Sequence, residues 1–289
     1  MTETGEDDLT RAQSELGTPD LLFQISRARV LAKLTVGVSL FVFGLLGNYL
    51  WWVHGPAVFD VLLAKVLILL PLSGLAILYH MYRNRGLFVL IYPTGLLRLR
   101  RGEVDSFPWA EVDHIRLKLK RAEKAEFDRD GNGVPTACWL VVDVPNFQLW
   151  NAGLTIARED GIEAQFGPAL SEYDRLAEEV QKRTFTVLWP LVWNRFRSGE
   201  SVDFDDLEFT TSGIRHEKKM LHWKDLKDVT VAQGKLTVKQ HGKWLPWAIV
   251  DVKGIPNLHV LFALVAEARR LPSATPHDQP QGADVDHTK

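Results

Sequence analysis

Cysteine is nearly absent, with Cys138 the only one in 289 residues. That excludes an internal disulfide framework and a cysteine-based zinc cluster, and it fits a reducing compartment. Excess charge of one sign is missing too, since 34 basic residues meet 36 acidic ones. No overall field draws the chain to nucleic acid, which is not expected as a partner. The sequence holds no glycine-rich phosphate loop, no Ser-His-Asp order and no close carboxylate pair with ligand-spaced histidines. No catalytic residue, metal ligand or cofactor is assigned, and a non-enzymatic protein is expected.

What the chain does have is long apolar runs. Leu34 to Val53 reads LTVGVSLFVFGLLGNYLWWV without a charge, and about 20 residues at a rise of 1.5 Å match a hydrocarbon core of ~30 Å. A second run, Val61 to Tyr82, is interrupted by Lys65 and contains Pro71. Together they predict a two-helix transmembrane hairpin over residues 34–82. Gly37, Gly44 and Gly47 let a neighbouring helix approach closely. Lys65 lies one turn from the start, where it snorkels beside Asp60. Some thirty polar residues precede the first run and no small-residue cleavage site follows, so it does not read as a signal peptide. Arg27, Arg29 and Lys33 come before the hairpin and Arg83 and Arg85 after it, whereas its loop has no Lys or Arg. The positive-inside rule then puts both termini and the soluble domains on the cytoplasmic side of the plasma (inner) membrane. Trp51, Trp52, Trp189 and Trp193 suit an aromatic belt, although the last two would equally fill a core.

The flanks read as a disordered acidic N-terminus and a basic juxtamembrane helix, 1–33, and a disordered tail, 272–289, with His277 and His287 in solvent. Between them short β runs dominate. Strands are predicted at Leu87–Tyr92, Leu96–Arg101 and Val112–Arg121; a charged loop then leads to Ala137–Val144. Leu170, Tyr173, Leu176, Ala177 and Val180 share one face of a helix ending near Thr184. A second series follows: Phe204–Thr210, Ile214–His222, Leu226–Val231, Lys235–His241, Trp247–Val252, then a helix opened by Pro256 and Asn257.

The two series share a centre. Trp109, Glu111, Val112 and Ile115 make a Trp-x-acid-aliphatic-x-x-aliphatic pattern that Trp223, Asp225, Leu226 and Val229 repeat, with Gly95 and Gly213 shortly before. The tryptophan is expected to anchor a strand end and the acid to cap a turn. Short strands, this centre and one closing helix resemble the pleckstrin-homology-like domains of bacterial membrane proteins. More closely, DLEFTTSGIRHEKKMLHWKDLKDVTV (206–231) and GIPNLHVLFALV (254–265) resemble an uncharacterised bacterial family of membrane-tethered proteins with tandem copies. The resemblance covers roughly residues 86–270. It implies an α+β, mainly β architecture of two β-sandwich or barrel domains, 86–184 and 185–271, each closed by a C-terminal helix. It also implies a binding platform, and it carries over no site, because no phosphoinositide-reading Lys and Arg signature matches.

Three local features remain. Asp128-Arg129-Asp130-Gly131-Asn132-Gly133 matches the first half of a calcium loop, but Trp139 stands where the bidentate glutamate belongs, so a turn is expected. Cys138 sits in a strand-like run and reads as a small buried hydrophobe. Arg98, Arg100, Arg116, Lys118 and Lys120, together with Arg101 and Arg121, would share a face if their strands are neighbours, with Leu97, Leu99, Leu117 and Leu119 turned to the core. That face is the candidate anionic-lipid site. The expected function is a membrane-anchored binding, scaffold or regulatory module for lipid or protein. The alternatives are an oligomeric pore or transport accessory, and an enzyme with a site between the two domains. Oligomeric state is left open.

Overall fold

The computed structural model describes residues 17–54, 61–83, 86–101, 103–118, 121–142 and 153–271. The acidic tail 1–16, the loop 55–60, Lys120 and the tail 272–289 lie outside the described residues, as does the side chain of Lys65.

The chain opens with strand β1 (Leu21–Gln24), then two helices, α1 (Arg27–His54) and α2 (Val61–Arg83). Next come β2 (Phe88–Ile91), β3 (Gly95–Arg100), β4 (Glu103–Pro108), β5 (Val112–Lys118), β6 (Arg121–Arg129), β7 (Pro135–Val142), β8 (Gly153–Arg158) and β9 (Glu163–Phe166). Helix α3 (Tyr173–Arg197) leads to β10 (Val202–Phe204), β11 (Leu207–Thr210), β12 (Gly213–His216), β13 (Lys219–His222), β14 (Leu226–Ala232), β15 (Lys235–Gln240) and β16 (Ala248–Asp251), and α4 (Leu258–Ala268) ends the fold. The result is a mixed α+β architecture of antiparallel sheets, ordered β1-β2-β3-β4, β5-β8-β9, β10-β11-β12-β13 and β16-β15-β14-β6-β7. Among the described residues none of these sheets closes into a barrel.

Residues 21–24 were expected within the disordered tail and juxtamembrane helix, yet they form a paired strand. Leu21 stands opposite Ile91 and Gln24 opposite Phe88, and Phe23 is buried. The helical pair is thus inserted between two hydrogen-bonded strands, which brings its two ends to one sheet.

The apolar runs differ from expectation in one respect. Among the described residues one helix is long and apolar enough to cross a membrane, over Val30–Val53, and only 11% of its most apolar window is buried. In α2 the apolar stretch among the described side chains is Ile68–Tyr79. The helices pack through small residues. Gly37, Gly44 and Gly74 are buried, and a Cβ on Gly74 would come 2.6 Å from the Gly37 carbonyl oxygen and 2.7 Å from the Phe41 nitrogen. Pro71 lies against Gly44. Large side chains point away from the partner helix, with Phe43 66% and Trp52 78% exposed.

Both Trp-x-acid segments form a single 3-10 turn that leads into a seven-residue strand, β5 or β14, with the same alternation of buried and exposed positions. Trp109 Nε1 donates to the Tyr92 carbonyl at 3.2 Å, and Trp223 Nε1 to that of Thr210 at 3.0 Å. The anchoring role is as expected. Neither acid caps its turn by a side-chain hydrogen bond.

Four further expectations change. The supposed loop after residue 121 contains β6, whose charges sit on a strand that pairs with both β7 and β14. The run 204–210 is two strands, broken where Asp205 takes a left-handed φ of 58°. The run 214–222 is likewise β12 and β13. Helix α3 does not stop near Thr184 but continues through Pro190, so the expected boundary at 184/185 falls inside it. Tertiary packing overrides the proline. Phe185, Trp189, Trp193 and Phe196 stack in sequence at 5.2 to 5.8 Å along the extension. Trp189, buried, and Trp193, packed against the core, are therefore core residues and not a membrane belt.

Substituting Gly74→Ala is expected to loosen the helical pair, since backbone atoms cannot yield to the new methyl; overpacking of this kind costs about 1–3 kcal/mol. Thermal unfolding of the full chain in detergent should show a lower Tm for Gly74→Ala and none for Gly131→Ala, where the added Cβ meets nothing within 4 Å.

Candidate functional site

The basic residues do not form one surface. Strand β3 hydrogen-bonds β2 and β4, whereas β5 pairs with β8 in another sheet. On β3 apolar residues occupy both faces. Leu96 enters the main core, and Leu97 and Leu99 join Tyr92, Leu90 and Val104 in a separate cluster on the opposite side. Alternation puts Arg98 and Arg100 on the Leu96 side, at the rim of the core. On β5 the expectation is met: Ile115 and Leu117 are buried, while Arg116 is partly exposed and Lys118 exposed.

Arg98 and Arg116 answer carboxylates. Arg98 stands opposite Asp105, to which Nε donates at 2.8 Å and Nη2 approaches at 2.6 Å. Arg116 lies 3.5 Å from Glu163. Arg100 is the cross-strand neighbour of Glu103.

Arg101, expected only as part of the wider patch, has a specific position. Its left-handed φ of 55° turns the chain out of β3. Its guanidinium sits 4.6 Å over the Tyr82 ring, and Nη2 donates to the Tyr82 carbonyl at 2.6 Å. A cation on the last carbonyls of a helix is favoured by the helix dipole, so Arg101 ties the β3–β4 turn to the end of α2.

A buried polar cluster was not foreseen. Gln181 and Thr184 of α3 and His259 of α4 are fully buried. Gln181 Oε1 accepts from the Leu140 N–H at 2.9 Å, and its Nε2 donates to the Leu140 and Ala177 carbonyls. Helix α3 is thereby fixed in register on β7. Thr184 Oγ1 is 3.3 Å from His259 Nε2, and Cys138 Sγ donates to the His259 carbonyl at 3.1 Å. Asn257 completes the joint: its Oδ1 accepts from Ile115 N, while its own N–H donates to the Ile115 carbonyl. Polar residues at core spacing carry no sequence mark that separates such a clamp from a surface helix face.

Residues 141–273 match a family of unknown function (DUF6585). The matched stretch begins at the end of β7 and takes in α3, β8 to β16 and α4. No curated protein and no solved structure matches the chain.

Within and beside that stretch the candidate reactive groups are sealed or engaged. Burial pushes the Cys138 thiol far above its usual range, with Arg129 opposing weakly, so the thiolate needed for nucleophilic attack is suppressed. In the calcium-like loop Asp130 Oδ1 accepts from the Asn132 and Val134 N–H groups, the geometry of an Asx turn. Arg129 bonds the Gly133 carbonyl and Glu267. Asp160, exposed, is held down at about 2 chiefly by the Arg158 guanidinium.

His259 offers a pH test. Desolvation lowers it from 6.5 to about 3, so between those values the unfolded chain binds a proton there that the folded chain does not. Stability from this group is complete above pH 6.5 and falls as the pH drops, by up to about 1.4 kcal/mol per unit. Denaturant unfolding of His259→Leu should show a shallower loss of stability between about pH 6 and about pH 4.5 than the native chain. Equal slopes would place the proton elsewhere.

Proposed function

We propose that the protein is a non-enzymatic, membrane-anchored binding or scaffold module whose β domains lie on the cytoplasmic face. The observation that carries this reading is the insertion of α1 and α2 between β1 and β2. If α1 crosses the bilayer, the pairing of β2 with β1 requires the chain to return through α2, because both strands must be on one side. The apolar outward faces of the helical pair suit lipid as their solvent. A core helix would be buried, and cleavage after α1 would strip β1 from its sheet. Arg27 and Lys33 on one flank and Arg83 and Arg85 on the other orient that side to the cytoplasm.

Within this reading the β region is two pleckstrin-homology-like copies of bacterial type. The first comprises β1 to β5, β8, β9 and the start of α3; the second comprises β10 to β16 and α4. The hairpin β6–β7 is an insertion in the first copy that joins the sheet of the second. Two sheets, a Trp-led 3-10 turn and a closing helix in each series support the assignment. The ligand is a protein or lipid. Lipid contact through Arg98, Arg100, Arg116, Lys118 and Lys120 belongs to this reading, with the carboxylates of Asp105 and Glu163 offsetting the charges of Arg98 and Arg116. A non-enzymatic role accords with a core that encloses Cys138 and His259.

The test uses the full chain in native membranes. Alkaline carbonate should leave it in the pellet. An impermeant maleimide should reach a cysteine at Gly55 from the outside, and one at Gly131 only after permeabilisation. Release by carbonate, or labelling of both positions from one side, would overturn the anchored hairpin.

A further inference from the structure

The helical pair carries its own depth scale. Gly37 lies against Leu78, Phe41 against Gly74 and Gly44 against Pro71, so α1 and α2 run antiparallel in one register that sets Tyr82 level with Lys33. Lys33 is the last charge before the apolar run 34–53, and the apolar stretch of α2 ends at Tyr79. Both helices thus place a polar boundary at the same height. At the opposite end of α1, Tyr49 and Trp52 are exposed. Trp52 lies about 19 residues beyond Lys33, or ~28 Å at the α-helical rise, which is close to the thickness of a hydrocarbon core. Tyr79 and Tyr82 at one end and Tyr49 and Trp52 at the other have the spacing of the two aromatic belts of a span.

The β3–β4 turn is docked on that boundary. Gln24, Phe88, Leu99 and Val104 form the cross-strand row of the first sheet nearest the helices. Arg101 lies just beyond that row and is exposed. Its guanidinium covers one face of the Tyr82 ring, and Nη2 holds the Tyr82 carbonyl, while Tyr82 itself stays 64% exposed. The remaining N–H groups of Arg101 meet no protein acceptor and no carboxylate among the described residues. Arg98 and Arg116, by contrast, are paired with acids. Glu103, the carboxylate nearest in sequence, stands opposite Arg100. Arg27, exposed in the first turn of α1, adds a second cation on the sheet side of the boundary.

We propose that Arg101, seated on Tyr82, is a site for the phosphate of an anionic phospholipid at the cytoplasmic boundary of the hairpin. The proposal rests on the anchored reading above and names the lipid contact at the end of the first sheet, apart from the strand faces of β3 and β5. A guanidinium presents parallel N–H groups that match two phosphate oxygens. The Tyr82 ring and carbonyl already hold its plane, so little side-chain freedom is left to lose when a headgroup binds. The hairpin keeps the site at headgroup depth, so a contact too weak to recruit a free protein suffices.

The experiment reconstitutes the full chain in phosphatidylcholine vesicles and measures, by electron spin resonance, how much spin-labelled phosphatidylglycerol and how much spin-labelled phosphatidylcholine the protein immobilises. At low salt the native chain should prefer the anionic lipid severalfold. Arg101→Gln should lose much of that preference, and Arg101→Lys should keep part of it, since the charge remains and the planar fork does not. Lys243→Gln is the control. Helix α3 starts beside the hairpin, where Ser171 N donates to the Gln24 carbonyl, and its far end reaches Trp223 through Phe196; the loop of Lys243 is bonded there through His241 N and the Asp225 carbonyl. A lower Tm for Arg101→Gln with an unchanged lipid preference would make Arg101 a cap on α2 alone and overturn the site. An equal loss in Lys243→Gln would overturn it too. Inorganic phosphate that removes the preference where chloride at equal ionic strength does not would assign the guanidinium to a free anion and overturn the lipid. Absence of any preference in native protein that resists carbonate would overturn this site and leave the anchor standing. Protein released by carbonate would overturn both readings.

Discussion

The pairing of β1 with β2 is the constraint from which the arrangement follows. Four residues before α1 and four after α2 share backbone hydrogen bonds, so the helical pair cannot be repositioned without opening a sheet. Phe23 extends that tie into the main core with Val89, Ile91 and Leu96. The same sheet end meets α3 through Ser26, Ala169 and Ser171. Helix pair, first sheet and long helix therefore form one connected unit.

Helix α3 then serves both β series. Its first half is locked on β7 by Gln181, and its second half presents the stacked ring series that ends at Trp223. The two polar joints, Gln181 to Leu140 and Asn257 to Ile115, satisfy backbone groups that would otherwise be buried without partners, and each such group left bare costs about 1–3 kcal/mol. They specify register where the surrounding leucines, valines and alanines would allow sliding. The Arg129–Glu267 pair at 2.7 Å adds a third tie from the β6–β7 hairpin to α4.

Apolar periodicity made most of the strands and both closing helices legible in the sequence, and the tryptophan anchors followed from the shared Trp-x-acid pattern. What was hidden had physical reasons. β1 is four residues long and separated from its partner by the whole helical pair, so no local pattern announces it. α3 passes through Pro190, where propensity argues for an end and only the packing of Phe185, Trp189 and Phe196 argues against one. β6 is charged at six of its nine positions, which reads as a loop until β14 and β7 flank it. The basic residues of the candidate site were found one by one, but their grouping required β3 and β5 to be neighbours. Strand order depends on long-range pairing that alternation alone does not encode.

The shared hairpin β6–β7 has a consequence for the growing chain. β6 is synthesised before the strand that covers its free side, since β14 lies about a hundred residues further on and pairs through Ala122 and Arg121. An uncovered strand edge is a template for pairing with another chain, and charged side chains are among the devices that blunt it. The charges that conceal β6 from periodicity would thus act as gatekeepers against aggregation during the interval before β14 leaves the ribosome.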